Sequence, residues 1–385
     1  MINLQTVTSD DAVLIITHNY SGGSAVFLDE YVASEFKNRA VFVLQSEKNL
    51  DHPLAPPVNF KIRDYRNSDI ETVIPADVQV LNLVTEKLHV TEIFVNHLIH
   101  FNLPFIVKWI MSANLPTTYF IHDYHCVCLN YHIDCDLKYC ELSRVHPTCR
   151  HYLKGMQIWD WQKFWFNFLG SPNMKIIAPS KYAASFVKKT YPNLSIEIRP
   201  HRLIVPLQKT FDSKFATREK LRITFLGNMF EHKGEEYLLK LNEFIRREKL
   251  PAEFVVIGKY HDEVRAGTAE GIIFTGEYDV KKISVSEMLA KCETGIVAVL
   301  SNVAETYNYT ASEAILSGYP VLSLNIGAHA FRVIKNNCGW VIPFDTEDRG
   351  VGNLKNFLRK ISSPNGRLDI LTKAENTANF QNGDE

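Results

Sequence analysis

The architecture of this chain is indicated most clearly by three consecutive segments, Gly295-Ile-Val-Ala-Val-Leu300, Glu305-Thr-Tyr-Asn-Tyr-Thr-Ala-Ser-Glu313 and Pro320-Val-Leu-Ser-Leu324. An apolar run is followed by a polar loop, a helical pattern over 310–317 and a second apolar run. Short apolar, β-branched runs separated by helical patterns are typical of parallel strands buried on both faces. The segments therefore predict a strand–loop–helix–strand unit of a doubly wound α/β sheet.

The same alternation extends through both halves of the 385 residues. A polar segment without periodicity, 206–219, is predicted to be a linker, which gives two Rossmann-like α/β domains, 1–206 and 207–385, facing each other across a cleft. A helix through Phe36 and another over 235–247 are among the predicted helices. The predicted strands are 13–18, 40–44, 92–96, 118–121, 175–178 and 195–199, then 222–226, 254–257, 271–274, 295–300, 320–324 and 339–342.

The composition excludes several classes of protein. Lys and Arg number 42 and Asp and Glu 43, so the net charge is −1 and a surface that binds nucleic acid is not expected. With 46% hydrophobic residues the chain is an ordinary globular protein. The first residues lack the basic and apolar regions of a signal peptide, and no apolar run approaches the ~20 residues that span a bilayer, so a cytoplasmic location is expected.

Two glycine-containing loops follow strands, where open α/β sheets bind ligands. Gly22 and Gly23 precede the first helix, and they are read either as a ligand-approaching turn or as a plain tight turn. The loop Gly227-Asn228-Met-Phe-Glu-His-Lys233-Gly234 places a lysine at the start of a helix, where a cation and backbone N–H groups together predict a phosphate site. The G-x-G-x-x-G fingerprint is absent, which disfavours a nicotinamide dehydrogenase.

Two further strand ends carry polar groups. Glu305 lies in a loop and Glu313 about one turn into the next helix, beside the N–H groups of Tyr309 and Thr310. Two carboxylates and a helix N-terminus can bind a polyhydroxylated group and a phosphate together, although the pair is also compatible with two surface glutamates. His122 ends the strand 118–121 and is a candidate for orienting a substrate, or is a capped loop histidine.

Together these segments resemble the retaining GT-B glycosyltransferases, in particular the large family four group. The most specific part is Glu305 to Val321 with its E-x7-E spacing, and the resemblance covers Val13 to about Asp345. Further matches are Ile177-Ala-Pro-Ser180 and the loop from Gly227 to Gly234. The stretch His122-Asp123-Tyr124, the cysteine-rich residues after it and Arg199-Pro-His201 are similar to a subgroup of surface-polysaccharide transferases.

The resemblance implies a nucleotide-sugar donor, UDP- or GDP-linked, bound by the second domain, and a glycan or lipid-linked acceptor bound by the first. It implies that Glu313 binds the ribose and Glu305 the hydroxyls of the transferred sugar. It also implies that the diphosphate is bound by Lys233 together with amides of a segment that comprises Tyr307, Asn308, Tyr309 and Thr310. Gly22 and Gly23 would approach the donor from the opposite side, and His122 would line the reacting centre.

One departure from the family concerns Asn228, where many relatives carry an arginine that binds the diphosphate. Asparagine supplies no charge, so Lys233 and the helix amides carry more of that binding, with Lys259 or Arg332 as candidate helpers. No carboxylate nucleophile is evident, and the family implies same-face attack in which the leaving phosphate takes the acceptor's proton. The expected outcome is retention at the anomeric carbon, with no cofactor required for catalysis.

Five of the seven cysteines lie within 124–153, a predicted insertion into the first domain that is also rich in histidine. A structural zinc site from Cys128, Cys140, Cys149 and His151 is one interpretation, although the spacings do not reproduce a paired C-x2-C site. Buried free thiols are the alternative. The triplet Asp134-Cys-Asp136 lies in the insertion, away from the donor elements, and is not taken as a metal motif.

The aromatic segment 158–169 is read either as a core helix or as a helix lying on a membrane interface. The second interpretation would make the protein peripheral at the inner face of the cell membrane, as suits lipid-linked acceptors. Competing functions remain open: a sugar-nucleotide epimerase of the same fold, or a glycan- or nucleotide-binding subunit that has lost catalysis. A glycogen-type phosphorylase would need a pyridoxal-phosphate lysine and a much longer chain.

Overall fold

The computed structural model describes residues 11–18, 22–67, 71–131, 134–135, 138–139, 158–203, 208–259, 269–278, 282–345 and 347–378. These residues contain two large sheets, which belong to two compact units, and a separate two-stranded hairpin. The strands of the first large sheet lie between residues 12 and 198, and those of the second lie between residues 221 and 342. The predicted α/β class with two parallel-sheet domains is confirmed.

The elements of the first half follow the predicted alternation of strands and helices. In chain order they are β1 (Ala12–Ile16), α1 (Gly23–Glu35), β2 (Ala40–Ser46), β3 (Phe60–Asp64), β4 (Glu71–Ile74), α2 (Val78–Lys87), β5 (Val90–Val95), α3 (Leu103–Ala113), β6 (Thr117–Phe120), the hairpin β7 (Asp134–Cys135) and β8 (Lys138–Tyr139), α4 (Ile158–Leu169), β9 (Met174–Ala178), α5 (Lys181–Thr190) and β10 (Ile196–Ile198).

The first sheet has eight strands in the order β10-β9-β6-β5-β1-β2-β3-β4. All six predicted strands of this half are present and pair in parallel, as expected for buried apolar runs. The edge strands β3 and β4 pair antiparallel and were not predicted. In β3, Phe60 and Ile62 are buried whereas Lys61 and Arg63 are partly exposed, so the strand alternates and lacks the continuous apolar run used as the criterion.

The second half begins with two short 3-10 helices, Ser213–Thr217 and Glu231–Lys233, that flank its first strand. Its other elements are β11 (Leu221–Leu226), α6 (Glu235–Glu248), β12 (Ala252–Ile257), β13 (Ile273–Phe274), α7 (Val285–Lys291), β14 (Ile296–Val299), α8 (Tyr309–Leu316), β15 (Val321–Leu324), α9 (Gly327–Lys335), β16 (Gly339–Ile342), α10 (Val351–Ile361) and α11 (Pro364–Ala378). The sheet order is β13-β12-β11-β14-β15-β16, all parallel, and the six predicted strands are confirmed.

Both faces of the second sheet are covered by apolar side chains. Along β12, Phe254 and Val256 pack into one core with α6 and α10, and Val255 and Ile257 pack into another with α7 and α8. Burying an apolar side chain of this size stabilises the fold by about 1.5–3 kcal/mol. The sheet is therefore a rigid base for the loops at its carboxyl edge.

The segment predicted as a linker is ordered against the second unit over much of its length. Phe215 is fully buried in the core of that unit, and Thr210 N–H donates to Ser317 O at 3.0 Å. Phe211 of the same segment also packs against this core, and the polar composition of 206–219 concealed both aromatic contacts. The C-terminal region also contains a second helix, α11, whose buried Thr377 hydroxyl donates to Gly318 O at 2.7 Å.

Helix α4 is a core helix. Trp161, Trp165 and Phe168 are buried, whereas Phe166 is exposed. Trp161 and Trp165, two of the residues that prompted the membrane interpretation, therefore pack inside the first unit. Within the described ranges, no helix is both long and apolar enough to cross a membrane.

Both sheets have a topological switch point. In the second, β11 lies between β12 and β14, so the loops that follow β11 and β14 leave neighbouring strands in opposite directions. In the first, β1 lies between β2 and β5 and creates the same arrangement. Such points, at the carboxyl ends of the strands, are where open α/β sheets bind ligands.

Candidate functional site

In the second unit, the loops after β11 and β14 are held together by close packing and hydrogen bonds. Gly234 has φ +92°, and a Cβ there would lie 2.5 Å from Leu300 O, so only glycine fits without displacing backbone. Ser301 Oγ donates to His232 O at 3.0 Å. The lysine that precedes Gly234 is thereby fixed beside the loop after β14.

Lys233, Glu305 and Asn308 form the centre of this site. Lys233 Nζ donates to Glu305 Oε1 at 2.9 Å, and Asn308 Nδ2 donates to Glu305 Oε2 at 2.7 Å. Asn308 is also the N-cap of α8, because its Oδ1 accepts from Ala311 N at 2.7 Å. Its φ of +85° is a conformation that asparagine tolerates better than most residues. One loop conformation thus orients both the carboxylate and the helix start.

Glu305 is ionised in this arrangement. Burial opposes its ionisation, but the charge of Lys233, reinforced by the hydrogen bond between the two, lowers the pKa of Glu305 to about 2. The Lys233 side chain is 42% exposed and that of Glu305 only 14%. A fixed carboxylate beside a more exposed ammonium offers acceptors for hydroxyl groups and donors for an anion.

A second cation lies under the same loop. The guanidinium carbon of Arg332 is 4.5 Å from the centroid of the Tyr307 ring, and its Nη1 donates to Ser312 Oγ at 2.7 Å. Ser312 Oγ in turn donates to the Tyr307 hydroxyl at 3.0 Å. Of the two candidate helpers, Arg332 is therefore buried beside Tyr307, whereas Lys259 forms an exposed ion pair with Glu277 at 2.5 Å.

Two helices begin at this site. Tyr309 and Thr310 are the first residues of α8, and Glu313 lies one turn further along the same helix. Glu313 interacts electrostatically with Tyr278: burial of the tyrosine, together with the charge of Glu313, raises the pKa of Tyr278 to about 12. The first N–H groups of a helix have no acceptor within it and favour an anion.

The start of α9 contacts Glu305 directly, since Ala328 N donates to Glu305 O at 2.9 Å. The next residue, His329, is fully buried, and neither of its ring nitrogens has a hydrogen-bond partner within the described ranges. Burial lowers the pKa of His329 to about 4, so its ring is neutral at physiological pH. It lies behind Glu305 as an uncharged polar group.

Asn228 is exposed at the end of β11, and its Oδ1 accepts from Lys259 N at 3.1 Å. This bond ties the loop after β11 to the loop after β12. Asn228 therefore has a local structural role, and none of its described contacts reaches Lys233 or Glu305.

In the first unit, polar residues collect at the carboxyl edge of the sheet. Gly22, with φ +124°, is the N-cap of α1, and Gly23 is its first residue. His122 follows β6, and its Nε2 lies 2.7 Å from Asn96 Oδ1 at the end of β5. His97 Nε2 lies 2.9 Å from Asp123 Oδ2.

Aromatic rings surround His122. Its ring centroid is 4.8 Å from that of Phe27 and 4.6 Å from that of Phe120, while His97 and His201 stack nearly parallel to it at 6.3 and 6.0 Å. Burial, followed by these neighbouring imidazoles, holds the pKa of His122 well below its usual range. The His122 ring is therefore neutral at physiological pH.

The comparisons with known proteins agree with this geometry. Residues 220–359 match the family described as Glycosyl transferases group 1, a range that contains Lys233, Glu305 and Glu313. The second half carries a glycosyl transferase group 1 domain. The predicted enzyme class, a glycosyltransferase, is confirmed by this match together with the fold. A search of curated protein sequences found no match.

Solved structures show the same fold as this glycosyltransferase. Sucrose-phosphate synthase from Thermosynechococcus elongatus is 13% identical with a TM-score of 0.63, over 96% of this chain and 94% of the other. WaaG, a glycosyltransferase involved in lipopolysaccharide biosynthesis, is 17% identical with a TM-score of 0.57, over 96% of each chain. Anabaena HepE in complex with UDP and glucose is 14% identical with a TM-score of 0.57, over 96% and 95%. At these identities the likeness supports the GT-B fold.

The zinc interpretation finds no support in the described part of this glycosyltransferase. Cys140, Cys149 and His151 lie outside the described residues, as does most of 124–153 after Tyr131. The described Cys128 is buried, as is Cys126. Among the described residues, no group of three or more His, Cys, Asp or Glu side chains is arranged to hold a metal ion.

Sequence reasoning missed several residues at these strand ends. Thr17 and His18 follow β1, Asn96 and His97 follow β5, and His201 follows β10. The criterion that selected His122, a polar residue directly after an apolar strand, applies equally to Asn96 and His97. His329 gave no such signal, because it is buried inside the first turn of α9.

Proposed function

We propose that this glycosyltransferase moves a sugar from a nucleotide-sugar donor to a glycan or lipid-linked acceptor, with retention at the anomeric carbon, in the biosynthesis of a cell-surface polysaccharide. The observation that carries the proposal is the Lys233–Glu305–Asn308 group at the switch point of the second sheet. It combines a cation, two helix starts and a fixed carboxylate, which are the groups that a diphosphate linked to a sugar requires.

The donor is assigned to the second domain, 207–385, and the acceptor to the first, 1–206. Lys233 and the amides of Tyr307 to Thr310 bind the diphosphate, Glu313 binds the ribose, and Glu305 binds hydroxyls of the transferred sugar. The buried charge of Arg332 adds to the positive potential under this loop. Anabaena HepE, which shares the fold, has been solved in complex with UDP and with UDP-glucose, and this supports a nucleotide-sugar donor.

In the reaction the bond between the anomeric carbon and the diphosphate breaks, and negative charge develops on the leaving phosphate. Lys233 and the first amides of α8 stabilise that charge because they are already oriented before the reaction begins. Glu305 is held by Lys233 and Asn308 and is therefore a binding group. The acceptor hydroxyl attacks from the same face and gives its proton to the departing phosphate, so the product keeps the donor's anomeric configuration.

The surface-polysaccharide role and a peripheral position at the inner face of the cell membrane complete the proposal. The likeness to WaaG, which is involved in lipopolysaccharide biosynthesis, supports the first of these. The second rests on the proposal of a lipid-linked acceptor, because Trp161 and Trp165 of α4 are buried and do not support membrane contact.

A two-step experiment tests the proposed function. UDP- and GDP-sugars are first screened by thermal shift, and each stabilising donor is then incubated with candidate acceptors while nucleoside diphosphate release is measured. Product NMR should show the anomeric configuration of the donor, and an inverted product would contradict retention. Tight binding of a donor without turnover on any acceptor would instead indicate a binding subunit.

A further inference from the structure

An aspartate whose carboxylate is held from two sides lies at the carboxyl edge of the first sheet. Asp123 is in the loop after β6, and His97 is in the loop after the adjacent strand β5. His97 Nε2 lies 2.9 Å from Asp123 Oδ2, and the other oxygen, Oδ1, accepts from the His125 N–H at 2.9 Å. Both carboxylate oxygens are thereby fixed in position.

The hydrogen bonds of His97 have defined directions. The Ile99 N–H donates to His97 Nδ1 at 3.1 Å, and a backbone N–H can only donate. A hydrogen on Nδ1 would face that N–H, so the ring carries its hydrogen on Nε2 and donates it to Asp123. Turning the ring over would break both bonds. The orientation of His97 is therefore set by the main chain on one side and by the carboxylate on the other.

Asp123 is an ionised carboxylate that can accept further hydrogen bonds. Burial opposes its ionisation, but His97, followed by His125, holds the pKa of Asp123 well below its usual range. The two N–H donors fill about half of the lone-pair positions of a carboxylate. In the described part of the chain, no lysine or arginine forms an ion pair with Asp123. Its side chain is 17% exposed, so the carboxylate is partly open to solvent.

We infer that Asp123 is a hydroxyl-binding residue of the first unit and that His97 is the positioning residue that orients its carboxylate. A hydroxyl is an uncharged donor, and its hydrogen bond to a carboxylate is about twice as strong as one between neutral groups. Asp123 directly follows His122 in the chain, and His122 is the residue expected to line the reacting centre. The inference rests on the proposed function in one respect, because the hydroxyl is assigned to a sugar of the acceptor.

The carboxylate orients the hydroxyl and transfers no proton in this inference. A group with so low a pKa is a weak base at neutral pH, so it accepts a hydrogen bond without removing the proton. This agrees with the proposed reaction, in which the departing phosphate takes the proton of the acceptor. Asp123 therefore contributes to acceptor binding and orientation.

Sugar binding in the absence of any donor tests the inference directly. Methyl glycosides of glucose, galactose, mannose and N-acetylglucosamine are the probes, in saturation-transfer difference NMR on the whole chain. At least one glycoside should give a signal with the wild type, and that signal should be lost in Asp123→Asn because the charged acceptor is removed. Asp160→Asn, an exposed carboxylate on α4 of the same unit, is the matched control and should keep the signal.

Three results of this experiment would overturn the inference. The first is the absence of a signal from every glycoside with the wild type. The second is an equal signal in Asp123→Asn. The third is a signal that survives in Asp123→Asn and is lost in Glu305→Gln, which would place the glycoside in the second unit.

His97 provides a second pair of variants in case Asp123→Asn does not fold. His97→Gln keeps an amide N–H at the position of Nε2 and should keep the glycoside signal. His97→Leu removes the donor, so the carboxylate can rotate and the signal should weaken. Equal signals in the two variants would contradict the positioning role, as would a hydrogen on Nδ1 of His97 in two-bond ¹H–¹⁵N NMR of the wild type.

Kinetics separate this inference from the proposed function. With an acceptor identified in the two-step experiment, Asp123→Asn should raise the acceptor KM about 10- to 100-fold and leave the donor KM unchanged. A purely structural role of Asp123 would change both constants, and an unchanged acceptor KM would refute the inference while the proposed function stands. If glycoside binding depends on Asp123 but no donor is turned over, the proposed function fails and the hydroxyl-binding role of Asp123 stands.

Discussion

The two sheets place loops of the same kind at their carboxyl edges and fill them with opposite chemistry. In the second unit, Lys233 and Glu305 form an ion pair next to two helix starts. In the first, His122 lies among aromatic rings and is bonded to an amide. One sheet architecture thus supports a site centred on a Lys–Glu ion pair and a site centred on a buried imidazole.

The difference between the two sites matches the chemical groups that each site would bind in glycosyl transfer. A diphosphate needs fixed positive charge, and donors that are oriented before the reaction stabilise the charge that develops on the leaving phosphate. A sugar hydroxyl is uncharged, and a neutral imidazole can orient it without the desolvation cost of a buried charge. Under the proposed function, the second unit binds the leaving diphosphate and the transferred sugar, and the first unit binds the acceptor.

The largest expected effect comes from removing the charge of the second site. Lys233→Ala should lower kcat about 100- to 1000-fold, because the group that stabilises the developing charge on the phosphate is lost. Lys240→Ala, an exposed lysine of the same unit that pairs with Glu236, is the matched control and should retain wild-type rates. A near-normal rate for Lys233→Ala in steady-state kinetics would show that Lys233 does not stabilise the leaving phosphate, and the proposed difference between the two sites would then fail.

Lowering the pH should destabilise the first unit before it weakens the Lys233–Glu305 ion pair of the second unit. The pKa of His18 is lowered to about 3 and that of His125 to about 4, mainly by burial, from an ordinary value of 6.5. Below pH 6.5 the unfolded chain binds protons that these native rings do not, so stability falls with pH, by about 2 kcal/mol for each ring at pH 5. Glu305, lowered to about 2 from an ordinary 4.5, keeps its contribution until the pH falls below about 4.5.

Hydrogen exchange with mass spectrometry, corrected for the intrinsic pH dependence of exchange, measures this difference between pH 7 and pH 5. Peptides from 90–128 should lose protection, and peptides covering 221–234 and 296–316 should lose less, because His329 is the buried histidine with a lowered pKa in the described part of the second unit. Earlier loss of protection around Lys233 would contradict the expected order of the two units.

The smallest expected effect is the loss of stability when glycines in the loops after β1 and β11 are replaced by alanine. Gly22, Gly227 and Gly234 all have positive φ, but only at Gly234 would an added Cβ meet neighbouring atoms. Alanine at Gly22 or Gly227 should cost about 1–2 kcal/mol from backbone strain, and Gly234→Ala should cost about 1–3 kcal/mol more because Leu300 O must move. Chemical unfolding of the three variants measures the differences, and equal losses would show that the loop of the second unit is not tightly packed.

Much of the fold could be predicted because its strands are continuous apolar runs. Strands β3 and β4 were missed, since Lys61 and Arg63 interrupt the apolar pattern of β3. The packing of 208–219 was missed because it depends on two aromatic residues, Phe211 and Phe215, in a polar segment. A run of apolar residues predicts a strand that is buried on both faces, but it does not predict which single side chain of a polar segment packs against the core.

The candidate site could be predicted only in part. Lys233 and Glu305 were expected to bind the diphosphate and the sugar of one donor. Their ion pair was not expected, because a contact between residues 72 positions apart depends on β11 and β14 being neighbours. Asn96 follows an apolar strand as His122 does, but its contact with His122 depends on strand order. Likewise, the sequence could not place Arg332 beneath the ring of Tyr307.

Mapping a nucleoside diphosphate on the whole chain tests the comparison most directly. Hydrogen exchange is measured with and without UDP or GDP, using whichever binds. The account predicts increased protection in peptides covering 227–234 and 305–313, with the peptides around Asn96 and His122 unchanged. Protection confined to the first unit, or no binding of either nucleotide, would contradict the assignment of the leaving group to the second unit.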